Sequence, residues 1–595
     1  MAEPQPAPRL PADLQAGIRT LEDVPGFTLE GRWQQLGDLW TTTCRVDIDD
    51  ASEHVDATTR WSLTLSNHYP QGLLHIQRGP VSGVRGAFPH ELGKGVPCLI
   101  TRAQPLGRWD TDPEPFDAYG RLAWHAVRLV RWVEKAARGE LLRPGDLFGH
   151  ALIDKMDKGQ SINTLEDTDS LDVWKLYFGQ RGEVRLLSDS RGHHSYYAVS
   201  FSHKGQDILT PPWGSWVTSL STSTVANWVL LGEPPFLPPW GFWGFPATWG
   251  ELREVLRAQG VELDPILRQA VGRGSAGAPL VMIGYPVPTV VGGPASRIEW
   301  QACALPALSK LAKARGFRDT PGSRWLKARR EHLGSRRAVT WHLSQNHQPE
   351  ELGSRGFLLE AVRTQRYVLI GAGALGSAIA EHLGRTGVMD IAILDKDSIQ
   401  TRNLVRHTLT LHDVPQNKAE QVAGRLRAIT ALVRPRGFGE QFPPKSEAAI
   451  RAVEGADVII DTTGEEQVIS DLGQRHWDAP RTIISLSLGW KAQALYAYAE
   501  RTPRFNARSF HEAIDPHVSA DLEAKGSEPA PMEGIGCWSP VFPALHTDVQ
   551  LLAAVGATFV REFLLSGEAR RARVYEQVHG TEGFGGVRVR DGGAA

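Results

Sequence analysis

The residues of this chain that could do chemistry fall into one dense stretch and two isolated cysteines. From Arg366 to Lys418 it reads RYVLIGAGALGSAIAEHLGRTGVMDIAILDKDSIQTRNLVRHTLTLHDVPQNK. Gly371, Gly373 and Gly376 have the G-x-G-x-x-G spacing that turns a strand tightly into a helix and brings peptide N–H groups close to a phosphate. Asp395 ends the next apolar run and is placed to accept hydrogen bonds from ribose hydroxyls. Asp397, Asn403, Arg406 and Lys418 follow in the order D-x5-N-x2-R-x11-K, and Asp461 closes a further apolar strand, ADVIID. Hydride transfer has no use for such a set, because it needs a nicotinamide and one acid or base. Cations beside an amide suit the phosphates of ATP, and a carboxylate suits Mg²⁺, which takes oxygen ligands and the phosphates themselves.

The cysteines are Cys44, Cys98, Cys303 and Cys537, with no C-x2-C pair among them, so neither structural zinc nor a disulfide framework is expected. Taken alone, Cys98 reads as a small buried residue ahead of Leu99 and Ile100, and Cys537 as a buried turn residue. Context changes both readings. Cys98 follows the tripeptide Phe88-Pro89-His90 by eight residues, counted from His90. Cys537 stands in IGCWSP, ahead of the helical pattern ALHTDVQLLAAVGATFVREFL, whose N-terminus favours a thiolate. Cys44, in a strand-like segment, and Cys303, in the helix-like EWQACALPALSKLAKA, read as core residues.

These groups need several domains to hold them. The chain has 595 residues, which corresponds to roughly three or four domains. Its 41% apolar and 22% charged composition is that of an ordinary globular protein with room for several cores, and the strand and helix patterns along it predict an α/β multidomain architecture. A net charge of −2 gives no general attraction to nucleic acid, and no apolar run is long enough to span a bilayer, so a cytoplasmic protein is expected. Residues 1–26, rich in proline and alanine, read as a flexible leader. Residues 27–150 alternate strand-like segments with a Tyr69-Pro70 turn and end in the helix AYGRLAWHAVRLVRWVEKAARG. Residues 151–340 form a middle domain with strand-rich sections, a run of tryptophans without interleaved basic residues, and the buried-strand pattern PLVMIGYPVPTVVGG. Residues 341–570 carry the glycine loop and a doubly wound α/β pattern. Within them FHEAIDPHVSADLEAKGSEPAPMEG reads as polar and mobile, and the Gly-rich 571–595 read as a flexible tail.

The glycine-loop region, about residues 340–565, resembles the ubiquitin-activating superfamily that includes the ThiF and MoeB adenylyltransferases. The resemblance implies a Rossmann-like adenylation domain, with Asp395 on the ribose, Asn403, Arg406 and Lys418 around the phosphates, and Asp461 at Mg²⁺. It also implies an arginine from upstream of the loop, for which Arg355, Arg363 and Arg366 are candidates, and a homodimer. Residues 27–150 resemble an α+β ubiquitin-conjugating domain, whose signature is His-Pro-Asn with the nucleophilic cysteine eight residues on. Here His90 stands at the asparagine position, and an imidazole N–H can hydrogen-bond an oxyanion as an amide does. Trp109 lies farther from the cysteine than is usual in that family. The middle domain is expected to be a second, degenerate adenylation-like fold.

The order of domains resembles the bacterial fused activating–conjugating enzymes of CBASS antiphage operons and related ubiquitin-like pathways. That resemblance implies activation of a partner's C-terminal carboxylate with ATP, transfer to Cys537 and then to Cys98, and ligation to a target lysine. The partner would be a ubiquitin-like protein or the C-terminal tail of a cyclic GMP-AMP synthase-like nucleotidyltransferase (CD-NTase). Two other readings remain open: an adenylyltransferase for a sulfur-carrier protein, which needs only the C-terminal domain, and a non-catalytic nucleotide-binding scaffold.

Overall fold

In the computed structural model the described residues are 10–79, 81–92, 95–99, 114–149, 153, 156–188, 194–235, 244–272, 280–305, 320–527, 529, 532–533, 539–540 and 543–590. Three sheets organise them, each with its own core.

The first part begins with helix α1 (Ala12–Thr20), followed by strands β1 (Phe27–Leu29), β2 (Gln34–Leu36), β3 (Leu39–Asp47), β4 (Thr58–Ser66) and β5 (Leu74–Arg78), and then helix α2 (Gly120–Arg138). The strands form an antiparallel sheet in the order β1-β3-β4-β5, with β2 paired to β3. Strict alternation along β3 and β4 turns Trp40, Cys44, Trp61, Leu63 and Leu65 inward, against Leu122, Ala126, Leu129 and Val133 of α2. Gly139, at φ +70°, ends α2 in the left-handed cap that glycine adopts without a Cβ penalty. The Tyr69 hydroxyl anchors the start of α2 by donating to the Ala118 carbonyl (3.0 Å) and accepting the Leu122 N–H (3.2 Å). The leader expected over 1–26 is corrected for its second half. Leu14, Ala16, Leu21 and Val24 are buried in this core, because α1 and the turn after it form an apolar face that α2 covers.

The middle part contains β6 (Met156–Thr164), α3 (Thr168–Trp174), β7 (Arg181–Ser188), β8 (His194–His203), β9 (Gln206–Leu209), α4 (Ser215–Thr218) and β10 (Thr222–Leu230), followed by α5 (Trp249–Ala258), α6 (Leu263–Gly272), β11 (Leu280–Pro288), β12 (Ala295–Ala304), α7 (Pro321–Glu331) and β13 (Thr340–Asn346). The strand order is β6-β13-β12-β11-β10-β7-β8-β9, and β8 also pairs with β6, so the sheet closes on itself. A degenerate adenylation-like fold, which would be an open parallel sheet, is therefore ruled out for this part. Most neighbours are antiparallel, and closure removes the exposed edges that a doubly wound sheet leaves. Along β10, Ala226, Trp228 and Leu230 point into the barrel while Val229 points out toward α5 and α6. Cys303 lies on β12, not on a helix, and burial pushes its thiol up to about 12.

The third part comprises α8 (Pro349–Gly353), α9 (Glu360–Arg363), β14 (Arg366–Ile370), α10 (Ala374–Arg385), β15 (Asp390–Leu394), α11 (Lys418–Arg427), β16 (Arg434–Phe438), α12 (Glu447–Glu454), β17 (Val458–Asp461), α13 (Glu466–Gln474), β18 (Arg481–Leu488), β19 (Ala494–Thr502), α14 (Ala507–Lys525), β20 (Met532–Glu533), β21 (Ser539–Pro540), α15 (His546–Leu565), β22 (Arg570–Gly580) and β23 (Gly583–Val589). Its main sheet runs β16-β15-β14-β17-β18-β19-β22-β23, parallel as far as β18. Helices α10, α11 and α15 cover one face and α12, α13 and α14 the other. The switch point, where the chain order reverses, lies at β14, between β15 and β17.

Two expectations fail in this part. The polar stretch read as mobile is largely α14, which buries Ile514 and ties Asp521 to Tyr496 and Arg590. The tail is not flexible through 590, because β22 and β23 extend the sheet. Glu576 pairs with Arg588 and Arg590, and Gly583, at φ +103°, makes the tight turn between the strands.

The barrel is docked on the edge strand of the third part. Gly214 and Ser215 donate backbone N–H bonds to Ala431 and Val433, and a Cβ on Gly214 would stand 2.6 Å from the Ala431 carbonyl. Trp213, Val217, Ala431 and Leu432 pack together at that contact.

Within the barrel Glu166 is fully buried. Its two carboxylate oxygens accept the indole N–H groups of Trp174 (2.8 Å) and Trp300 (2.7 Å). Burial pushes its carboxyl from 4.5 up to about 7. Across that interval the unfolded chain has released a proton that the folded barrel still holds, so stability is full below it, falls as pH rises through it and is level above it. Urea denaturation followed by tryptophan fluorescence should show this fall, and Glu166→Gln should remove that part of the slope.

Candidate active site

The site is built at the end of β14, a strand buried over its last four residues. Gly371 adopts φ +91°, and a Cβ there would lie 2.9 Å from the Thr463 side chain. A Cβ on Gly376 would lie 2.1 Å from the Gly371 carbonyl, so that glycine lets α10 pack against the loop it leaves. Gly373, the N-cap of α10, has nothing within 4 Å of its Cβ position. It lines a cleft of about 370 Å³ together with Leu375, Asn403, Arg406, His407, Lys418, Thr462, Thr463, Gly464, Ser487 and Val549.

Gly373, Asn403, Arg406 and Lys418 are thus brought to one cavity from a helix N-terminus, a single-turn segment at Thr401–Val405 and the first residue of α11. The N–H groups that open α10 have no intrahelical acceptor, and together with two cations they favour an anion there. Lys418 is fixed by its ion pair with Asp397 (3.1 Å) and by its own N–H, which donates to the Asp397 carbonyl (2.9 Å). ATP fits this donor set. Asn403, Arg406, Lys418 and the α10 N-terminus would hold its phosphates.

The two aspartates are held differently. The carboxylate of Asp395 accepts the N–H of Ala372 (2.7 Å) and of Asp397 (2.8 Å), one on each oxygen, so it holds the glycine loop from behind. Burial raises its pKa, partly offset by those two N–H groups. Asp461 is 0% exposed, and its oxygens accept the Thr463 N–H (3.0 Å) and hydroxyl (2.6 Å) and the Ser485 hydroxyl (2.9 Å). A carboxylate enclosed and bonded in this way does not offer Mg²⁺ an open position, so the metal role expected for Asp461 is corrected to a structural one. Among the described residues no group of three or more His, Cys, Asp or Glu side chains could hold a metal. Of the upstream arginines, Arg366 pairs with Asp457 (2.8 Å) at the opposite end of β14, and Arg363 pairs with Glu350 (2.9 Å). Arg355 is exposed.

His407 was not foreseen. Its Nδ1 accepts the Leu409 N–H (3.1 Å), so its Nε2 carries the proton and donates to the Ala372 carbonyl (2.7 Å). Burial lowers its pKa to about 4, which keeps it neutral at physiological pH. The position next to Arg406 was the available signal, but a histidine in a polar run is usually solvated.

A second cluster lies in the first part. The carbonyl of His90 accepts the backbone N–H of Cys98 (2.7 Å) and the indole N–H of Trp132 (3.1 Å). His90 sits at φ +56°, in the left-handed region that asparagine and histidine enter more readily than most residues. The backbone therefore tolerates either residue at this position. Cys98 is half-buried, whereas Cys44 is enclosed and its thiol is pushed up to about 12 by burial. Cys537 and Trp109 lie outside the described residues.

Residues 139–347 match the Cap2 central linker domain and residues 343–531 the ThiF family. The ATP-dependent ubiquitin transferase-like protein Cap2 of Enterobacter hormaechei is 31% identical over 575 residues, 93% of this chain and 94% of that protein. The chain belongs to the Cap2 family. It is an ATP-using enzyme of the ubiquitin transferase-like class with a C-terminal ThiF-type adenylation fold. The Cap2 protein of Vibrio cholerae is 28% identical over 170 residues, 28% of this chain and 26% of that protein. A sulfur carrier protein adenylyltransferase of Thermus thermophilus is 30% identical over 105 residues, 18% of this chain and 38% of that protein. The Cap2 central domain is the closed barrel described above.

Gly373→Val would place its Cβ in open space at the cleft wall. It should abolish ATP binding by calorimetry and leave the Tm unchanged. Gly376→Ala, which must displace the Gly371 carbonyl, should instead cost about 1–3 kcal/mol of stability.

Proposed function

We propose that this enzyme activates the C-terminal carboxylate of a protein partner with ATP and passes the acyl group from Cys537 to Cys98 and on to a target lysine. The observation that carries the reading is the cleft at the end of β14, where the α10 N-terminus, Asn403, Arg406 and Lys418 converge in a Cap2-family chain. Those donors would orient the phosphates and take up charge as a carboxylate oxygen bonds to the α-phosphorus and pyrophosphate leaves. The Cys537 thiolate then attacks the acyl carbon and displaces AMP, the Cys98 thiolate displaces Cys537, and an amine displaces Cys98 to leave an amide. Mg²⁺ bound to the nucleotide would neutralise charge on its phosphates, without Asp461. His90, an exposed residue whose carbonyl accepts the Cys98 N–H, is the donor for the oxyanion of the last step.

The partner is a ubiquitin-like protein or the C-terminal tail of a CD-NTase, the setting is cytoplasmic antiphage defence, and the working form is a homodimer. The match to the Thermus sulfur carrier protein adenylyltransferase keeps a second reading in view, activation without thioester relay. The built loop between His90 and Cys98 argues against it, because that enzyme class needs no such domain.

Intact mass after incubation with ATP, Mg²⁺ and the small proteins encoded beside this chain separates the two. The relay predicts thiol-sensitive adducts, with Cys537→Ala emptying both cysteines and Cys98→Ala leaving the adduct on Cys537. Adenylation without a thioester would establish the sulfur-carrier reading, and no adduct of either kind the scaffold.

A further inference from the structure

The loop that carries His90 and Cys98 is gripped from two sides by residues that nothing in the activation chemistry uses. On one side is Arg78, the last residue of β5, with its side chain only 13% exposed. Its guanidinium donates to the Gly86 carbonyl (2.5 Å) and to the Glu91 carboxylate (2.6 Å), and lies over the Phe88 ring at 5.3 Å. The same Glu91 oxygen accepts the Phe88 N–H (3.0 Å), and the backbone N–H of Arg78 donates to the Gly95 carbonyl (2.9 Å). A Cβ on Gly95 would lie 2.9 Å from the Arg78 side chain. On the other side, Trp132 of α2 packs edge-on against Phe88 (5.8 Å) and Trp61 (5.9 Å) and donates its indole N–H to the His90 carbonyl. The bridge between Glu91 and Pro97 and the Leu92–Val96 bond return the chain to Cys98.

This is an expensive arrangement. A buried guanidinium–carboxylate pair loses hydration that its attraction only partly restores, and a β-strand end does not need one. What it does secure is the backbone between Gly86 and Glu91, within which His90 is held in a left-handed conformation. We propose that Arg78 and Trp132 are positioning residues for acyl transfer at Cys98. They fix the His90 peptide so that the imidazole faces the developing oxyanion. The inference rests on Cys98 being the acyl carrier. In the step concerned, a lysine nitrogen bonds to the thioester carbon, the tetrahedral oxyanion collapses, the carbon–sulfur bond breaks and the Cys98 thiolate leaves, the surplus ammonium proton passing to water.

The test bypasses the unknown partner. The full chain is loaded at Cys98 with the mercaptoethanesulfonate thioester of N-acetyl-glycylglycine. Its discharge to free lysine is then followed by peptide mass spectrometry across pH. Arg78→Gln and Trp132→Phe should load as well as the parent chain but discharge about tenfold or more slowly, with an altered pH profile. Arg78→Lys, a point charge without the guanidinium fork, should recover only part of the rate. Arg121→Gln serves as comparison. It breaks an equally buried pair, with Glu114, in the same part of the molecule, but bonds to Pro70 and Gly72 instead of the Cys98 loop. It should lower the Tm and keep the discharge profile.

Discharge within twofold of the parent for both Arg78→Gln and Trp132→Phe overturns the positioning role, as does an equal loss in Arg121→Gln. Should Arg78→Gln fail to fold, Trp132→Phe, which removes one N–H and keeps an aromatic ring, decides alone. A parent chain that takes no acyl group at Cys98 overturns the carrier reading itself, and the positioning role with it.

Discussion

The adenylation cleft depends on how one short turn satisfies its own peptide groups. Between Ile370 and Gly373 the chain leaves a buried strand and enters a helix, in surroundings where an unpaired N–H or C=O is costly. The structure supplies a separate element for each. The Ala372 N–H goes to Asp395 at the end of β15, the Ala372 carbonyl to His407 after the Thr401–Val405 turn, and the Gly371 carbonyl to the Thr462 hydroxyl (2.9 Å) after β17. With the loop's own groups satisfied from behind, the N–H groups of α10 are left facing the cavity. Asp461 works one layer deeper. It ties Thr463 and Ser485, and through them the ends of β17 and β18, into the same wall.

The Cys98 corner uses the same device in a different fold. One carbonyl, that of His90, gathers the nucleophile's N–H and an indole N–H, and a buried ion pair closes the loop around it. In both sites the side chains nearest the chemistry are held by hydrogen-bonded polar groups a layer further back. Preorganisation of this kind lowers the reorganisation that a transition state would otherwise require.

In chain order the barrel comes between the two sites, and it meets the adenylation sheet through a backbone-to-backbone contact. Gly214 allows that approach, since any larger residue would meet the carbonyls of Ala431 and Val433. At its other side, residues 145–148 pair with the β11–β12 turn through Gly145, Asp146 and Phe148. The barrel is thus fastened to the adenylation part, and its core of tryptophans around Glu166 gives it rigidity of its own.

The sequence by itself determined the adenylation half. Glycine spacing, apolar strands ending in Asp395 and Asp461, and the N-x2-R-x11-K order are local patterns, and strand-to-helix turns at a switch point are decided over a few neighbouring residues. It also determined the link between His90 and Cys98, because eight residues is a loop's length. Tertiary structure alone decided the rest. The barrel closes through β6 pairing with β8 and β13, strands far apart in the chain, so its alternating apolar pattern could not reveal whether the sheet was open or shut. The leader and tail looked flexible because their composition is polar or proline-rich, yet each presents one apolar face that matters only when α2 or the sheet is there to cover it. Asp461 and a metal-binding aspartate look alike in sequence. What separates them is whether neighbouring hydroxyls consume the carboxylate, and that depends on Ser485 arriving from the adjacent strand.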